Sequence, residues 1–129
     1  MLAKYLVIFS KAPLQGAAKT RLSATLGRAE ACRISRAIAF KVINRLSNDT
    51  RWTCVLAVTP DQFAHVGRFW PYTAKRVAQG GGNLGVRMAR PVRELPPGPV
   101  VIVGSDIPNL NQEHIVDAFR ALGKAHFVF

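Results

Sequence analysis

Apolar residues along the chain fall into two alternating patterns, and the alternation predicts the fold. Tyr5-Leu6-Val7-Ile8-Phe9 is a continuous apolar run with β-branched members, as expected of a strand buried on both faces. Trp52 to Val58 is a second such run, stopped by Thr59-Pro60, and Val100 to Gly104 is a third. Between the first two, Ile34, Ile38, Val42 and Leu46 recur every four residues with Ala31 and Ala37 beside them. That spacing predicts an amphipathic helix over 29–46 whose outer face carries Arg33, Lys41 and Arg45.

Local signals fill in the rest. Thr59, Pro60 and Gln62 read as an N-cap, a first-turn proline and a capping-box partner, predicting a short helix that reaches Phe69. Ala74 to Gln79 reads as a short strand and Gly80-Gly81-Gly82 as a flexible turn. Leu84 to Leu95 has helical character that Pro91 should interrupt or kink, and Pro96-Pro97-Gly98-Pro99 is a rigid connector. Asn111 can cap a further helix, with Leu110 and Ile115 placed as a hydrophobic staple and Gly123 as its end. Ala125 to Phe129 begins another strand. Strands separated by helices imply an α/β domain with a mostly parallel sheet and right-handed crossovers. Ligands of such sheets bind beyond the carboxyl ends of strands, which singles out the loops after Phe9 and after Gly104.

Length and composition fit a single domain over residues 1–129: 49% hydrophobic and 19% charged residues describe a globular chain. No apolar run approaches the about 18 residues that a bilayer span needs, so no membrane partner is expected. The N-terminal apolar stretch is short for a signal peptide. Cys32 and Cys54 lack metal-ligand spacing and read as reduced thiols of a cytoplasmic protein. Charge changes the picture. With 18 Lys+Arg against 7 Asp+Glu, a formal +11, the chain should favour anionic partners.

The first strand-end loop concentrates that charge. Lys11, Lys19 and Arg21, the hydroxyl of Thr20 and the glycine Gly16 lie within one short stretch. Lysine offers a point charge and arginine a bidentate fork to phosphate oxygens, while Gly16 lets backbone N–H groups approach an anion. Ala18 and Pro13 stand where a Walker A loop needs glycine, so this is not a P-loop; phosphate binding is the favoured reading, with a solvated basic loop as the alternative. The second loop holds Asp106 where an apolar strand meets it. A carboxylate opposite basic phosphate-binding groups suits a divalent metal bridging to a diphosphate. Gly80 to Gly85 formally matches G-x-G-x-x-G, but no buried strand precedes it and Pro91 follows, so a turn is the better reading. His65, His114 and His126 show no ligand spacing, and the tryptophans and phenylalanines read as core.

Together these residues resemble a known set. Phe9-Ser10-Lys11-Ala12-Pro13 through Gly16 to Lys19-Thr20-Arg21-Leu22 is similar to the opening signature of an uncharacterised bacterial transferase family. Gln79, then Leu84-Gly85 and Arg87-Met88, then Gly104-Ser105-Asp106 with Pro108 and Leu110, match its later signatures in order. The family is glycosyltransferase A-like and related to the molybdopterin-guanine-dinucleotide and phospholactate nucleotidyltransferases. The resemblance implies a nucleotide-diphospho-sugar transferase fold, a three-layer α/β/α sandwich. It implies that Lys11, Lys19 and Arg21 hold the phosphates of a nucleoside triphosphate or nucleotide sugar. Gln79, Leu84 and Gly85 would border the nucleotide pocket, and Asp106 would bind Mg²⁺ or Mn²⁺.

Two departures bear on this expectation. Asn83 and Val86 stand where the family carries acidic residues, and the chain stops before the family's Asp-Gly-Gly motif. The sequence therefore reads as C-terminally incomplete relative to the family, with 126–129 as an edge strand through which copies could pair. Two alternatives stay open: an inactive homologue with a structural or nucleotide-binding role, and a basic nucleic-acid-binding module. The latter lacks any nucleic-acid motif or interleaving of aromatic and basic residues.

Overall fold

A strand with neighbours on both sides organises the molecule. The computed structural model describes residues 3–12, 27–67, 69–71 and 74–122. Its strands are β1 (Tyr5–Lys11), β2 (Thr53–Thr59), β3 (Lys75–Ala78) and β4 (Val100–Gly104), in the spatial order β3-β2-β1-β4. Every pairing among these strands is parallel. The helices are α1 (Arg28–Ser47), α2 (Leu84–Glu94) and α3 (Gln112–Leu122), with a single 3₁₀ turn at Asp61–Ala64. The expected α/β fold with a parallel sheet is therefore present.

Register fixes which residues share a face. Leu6 pairs with Cys54 and Val101, and Ile8 with Leu56 and Val103. All lie in or against one core cluster that also takes Ala39, Val42, Ile43 and Leu46 of α1 and Ile115 and Phe119 of α3. Trp52 closes this core, stacked on Phe119 at 6.0 Å between ring centroids. On the opposite face Val7, Val55 and Ala57 are buried too, which is why these strands read as unbroken apolar runs. The β3-to-β4 connection through α2 crosses the sheet in the reverse direction. Right-handed crossovers assign it to that second face, giving the three layers.

Several elements differ from expectation for identifiable reasons. β1 continues through Ser10 and Lys11, because these residues pair with Val58 and Thr59. The core stripe of α1 is Ala39, Val42, Ile43 and Leu46, whereas Ile34 and Ile38 are only half-buried. A spacing of four drifts around a helix of 3.6 residues per turn, so mixed three- and four-residue steps track the core better. The helix expected from Thr59 to Phe69 is only the 3₁₀ turn. Gly67 has φ +90, and the Arg76 guanidinium binds the carbonyls of Phe63, Val66 and Gly67 that a longer helix would use itself. Pro91 does not interrupt α2, which runs on to Glu94 with Leu95 N–H donating to the Pro91 carbonyl. No residue of α2 is buried, so water can serve the Arg87 carbonyl that Pro91 leaves without a donor.

The N-cap expected at Thr59 is absent, Pro60 standing at the start of the 3₁₀ turn with no side-chain cap, whereas the cap expected at Asn111 is present and Asn83 supplies one that the sequence reading did not single out. Asn83 Oδ1 accepts from Val86 N–H at 2.9 Å at the start of α2. At α3, His114 N–H donates to Asn111 Oδ1 at 3.2 Å while Asn111 N–H donates to His114 Nδ1 at 3.2 Å. That is a reciprocal capping box with histidine in the glutamate position. The proposed staple partners Leu110 and Ile115 are both buried. The expected helix end at Gly123 and strand at 125–129 lie outside the described residues.

Two predictions follow from this packing. Leu56→Ala, at the fully buried centre of β2, should lower unfolding free energy by about 2–5 kcal/mol in urea titrations, whereas Thr53→Ala at an exposed position should stay within about 0.5 kcal/mol. Burial also pushes the Cys54 thiol from 9.0 up to about 12. A thiol that stays protonated only in the folded state contributes stability in full below pH 9, and that contribution is lost as pH rises toward about 12. The stability difference between wild type and Cys54→Ala should therefore narrow as urea midpoints are followed from pH 7 to 11.

Candidate functional site

Strand order reverses between β1 and β4, and in open α/β sheets that is where the carboxyl ends of strands leave a crevice for ligands. The residues leaving the sheet there are Ser10 and Lys11 from β1 and Gly104, Ser105 and Asp106 from β4. Ser105 N–H donates to the Phe9 carbonyl at 3.0 Å, carrying the β1–β4 ladder one step beyond the regular strand.

Alternation along β1 turns Leu6, Ile8 and Ser10 to the same face, so Ser10 places a hydroxyl at the rim of the core. It is 3% exposed, and Ser105 opposite is 6% exposed. Their Oγ atoms are 2.9 Å apart, and the Trp70 indole N–H donates to Ser10 Oγ at 2.8 Å. Trp70 is itself buried, packed edge-to-face against Phe69 at 5.6 Å. One hydroxyl thus joins β1, β4 and the segment after the 3₁₀ turn, immediately beside the two charged residues that leave the sheet.

Gln79, at the exit of β3, is also buried. Its Nε2 donates to the Ala57 carbonyl at 3.0 Å and to the Ser10 carbonyl at 3.5 Å, and its Oε1 accepts from Arg87 Nη1 at 3.3 Å. Its amide therefore ties three strand ends together. The triglycine turn that follows is braced, not merely flexible. Gly80 N–H donates to Asp61 Oδ1 at 3.1 Å, Arg87 Nε to the Gly82 carbonyl at 2.9 Å and Arg90 Nη2 to the Gly81 carbonyl at 3.0 Å. Arg90 also binds the Gln79 carbonyl. Gly80 has φ +80, a conformation that favours glycine, and a Cβ there would push the Arg90 guanidinium off its place.

The loop carrying Asp106 is held at its far end by α1. Arg45 Nη1 donates to the Leu110 carbonyl at 2.8 Å and to the Pro108 carbonyl at 3.2 Å, and Gln112 Nε2 donates back to the Arg45 carbonyl at 3.0 Å. Asp106 is exposed and leans over the end of β4, where a Cβ on Gly104 would come within 3.0 Å of its Oδ1. Lys11 is exposed at the end of β1.

Of the residues singled out from sequence, Lys11, Gln79, Leu84, Gly85 and Asp106 all lie at or next to the carboxyl edge of the sheet. Leu84 and Gly85 are exposed in the first turn of α2. Gly16, Lys19, Thr20 and Arg21 lie outside the described residues. No group of three or more metal-ligating side chains occurs among the described residues, leaving Asp106 as a single carboxylate in the β4 loop. A lone carboxylate fits magnesium, which takes one or two carboxylates and completes its shell with phosphate oxygens and water. Sequence reading missed Ser10, Ser105 and Trp70. The signal for the serines was present: each continues an inward alternation, Leu6-Ile8-Ser10 and Val101-Val103-Ser105, with a polar residue.

This fold is the nucleotide-diphospho-sugar transferase type of α/β domain. A solved structure described as a candidate nucleotide-diphospho-sugar transferase from Desulfovibrio desulfuricans G20 matches it with a TM-score of 0.78 and 25% identity, over 95% of this chain and 55% of that one. The chain thus spans about half the length of that neighbour. Residues 42–129 match the model of a family described as an uncharacterized protein conserved in bacteria, DUF2064, and the chain belongs to that family. Among curated proteins none matches. No helix among the described residues is long and apolar enough to cross a membrane.

The network predicts a graded response in stability. Ser10→Ala leaves the buried Trp70 N–H without its acceptor and should cost about 1–3 kcal/mol in urea unfolding. Removing the donor as well, in Ser10→Ala/Trp70→Phe, should cost less than the sum of the single changes, because the indole N–H is no longer left without its acceptor.

Proposed function

We propose that the chain forms the donor-binding part of a glycosyltransferase A-like or nucleotidyl transferase, taking a nucleoside triphosphate or nucleotide sugar at the crevice between β1 and β4. The observation that supports this best is the juxtaposition of the two strand exits. Lys11 and Asp106 stand at the exits of neighbouring parallel strands, each directly after a serine, and the two serines, Ser10 and Ser105, are hydrogen-bonded to each other. The similarity to a candidate nucleotide-diphospho-sugar transferase agrees with that reading.

In this reading Lys11 faces the phosphates as a point charge, with Lys19 and Arg21 supplying further cationic groups and Gly16 and Thr20 backbone and hydroxyl contacts. Asp106 would hold Mg²⁺ or Mn²⁺, which when bound would neutralise charge on the leaving phosphate. The exit of β3, through the clamped turn to Leu84 and Gly85, borders the nucleotide. Gln79 supports that wall from beneath, its amide already engaged with Ala57, Ser10 and Arg87.

Thermal shift and titration calorimetry with nucleoside di- and triphosphates and nucleotide sugars, each with and without Mg²⁺ or Mn²⁺, test the proposal. A binding ligand at about 100 times its Kd should stabilise the protein by about 2.7 kcal/mol, a shift of several degrees at this size. Asp106→Asn should abolish the metal dependence of binding, and Lys11→Ala should weaken binding with or without metal. No shift with any of these ligands would sink the proposal.

A further inference from the structure

From the buried contact between β1 and β4 we infer that Ser10 and Ser105 are positioning residues, setting the spacing between the cationic exit of β1 and the carboxylate exit of β4. This inference rests on the functional reading above, because it concerns how that site is held.

Each serine is the residue immediately before the charged one, Ser10 before Lys11 and Ser105 before Asp106. A displacement of either serine is therefore passed on through one peptide unit. Both side chains are nearly fully buried, so neither hydroxyl serves solvent. A buried hydroxyl needs partners, and at the end of a sheet the backbone ladder no longer supplies them. Among the described residues, the only backbone hydrogen bond that continues the β1–β4 ladder beyond Gly104 is Ser105 N–H to the Phe9 carbonyl. Without a side-chain link the two exits could diverge from that point.

Trp70 makes the link directional. Its indole nitrogen can only donate, so one lone-pair direction of Ser10 Oγ is committed to it at 2.8 Å. Ser10 Oγ accepts its second hydrogen bond from the Ser105 hydroxyl, 2.9 Å away. The Ser10 carbonyl is approached by Gln79 Nε2 at 3.5 Å, adding a weaker tie to β3. On the other side of the Asp106 loop, Arg45 fixes the carbonyls of Pro108 and Leu110 to α1. Asp106 is thus suspended between two anchors, and the serine pair is the one next to the crevice.

Ser105→Ala is the informative variant. It keeps Ser10 as acceptor for Trp70, so it removes the link without orphaning a buried donor. The first measurement is amide hydrogen exchange of the protein without ligand. Ser105→Ala should speed exchange of the amides from Ser105 to Leu110 while the melting temperature and exchange in α1 stay close to wild type. Unchanged exchange in that loop would overturn the inference. The second is calorimetric titration of Mn²⁺ with whichever nucleotide the wild type binds. Ser105→Ala should weaken metal-dependent binding about tenfold, as loss of an outer support of a metal ligand does, with little change in binding without metal. Equal loss in both conditions, or none, would overturn it. Ser10→Thr, which keeps the hydroxyl, should restore the affinity lost in Ser10→Ala. A wild type that binds no nucleotide with any metal defeats the functional reading itself. Wild-type binding with an indifferent Ser105→Ala defeats only the positioning role.

Discussion

β1 has partners on both edges and apolar cover on both faces, and a strand in that position has no tolerance for an unmatched polar group. Its ladders with β2 and β4 satisfy the backbone from Tyr5 onward, and Leu6, Val7 and Ile8 fill both faces without a gap. The first polar side chain that the strand admits, Ser10, comes where the ladder is about to end. It must find its partners among other buried side chains, and Trp70 and Ser105 provide them. The polar edge of the sheet is a consequence of how completely the rest of β1 is sealed.

Much of the positive charge has an internal use. Arg45, Arg76, Arg87 and Arg90 direct their guanidinium groups to backbone carbonyls in the loops after β4, β2 and β3. Loops that turn sharply at the end of a parallel sheet expose carbonyls with no ladder partner, and a planar fork of five donors can serve several at once. Arg33, Arg51 and Arg120 pair instead with Glu30, Asp49 and Asp117 on the surface, where such pairs contribute little to stability. A surplus that reads in composition as an advertisement for anionic partners is therefore partly scaffolding.

The strands were legible because burial on both faces demands unbroken apolar runs, and such runs survive in the sequence as Tyr5–Phe9, Trp52–Val58 and Val100–Gly104. The cap of α3 was legible for a similar local reason: Asn111 acts on an N–H group three residues away. What could not be read was anything decided by a distant partner. The helix expected after Pro60 failed because Arg76, on β3, takes its carbonyls, and the stripe of α1 shifted because the sheet beneath it selects Ile43 over Ile34.

Sequence alone thus determined the order of strands and helices, the parallel sheet and the two loops at its carboxyl edge, since each depends on periodicity and chirality within a short span. Tertiary structure alone decided that Ser10, Ser105 and Trp70 meet, that Gln79 turns its amide inward, and that four arginines hold loop carbonyls. Those contacts join residues far apart in the chain, up to 95 positions between Ser10 and Ser105. A hydrogen bond of that kind depends on which strand ends lie side by side, and the order β3-β2-β1-β4 fixes that.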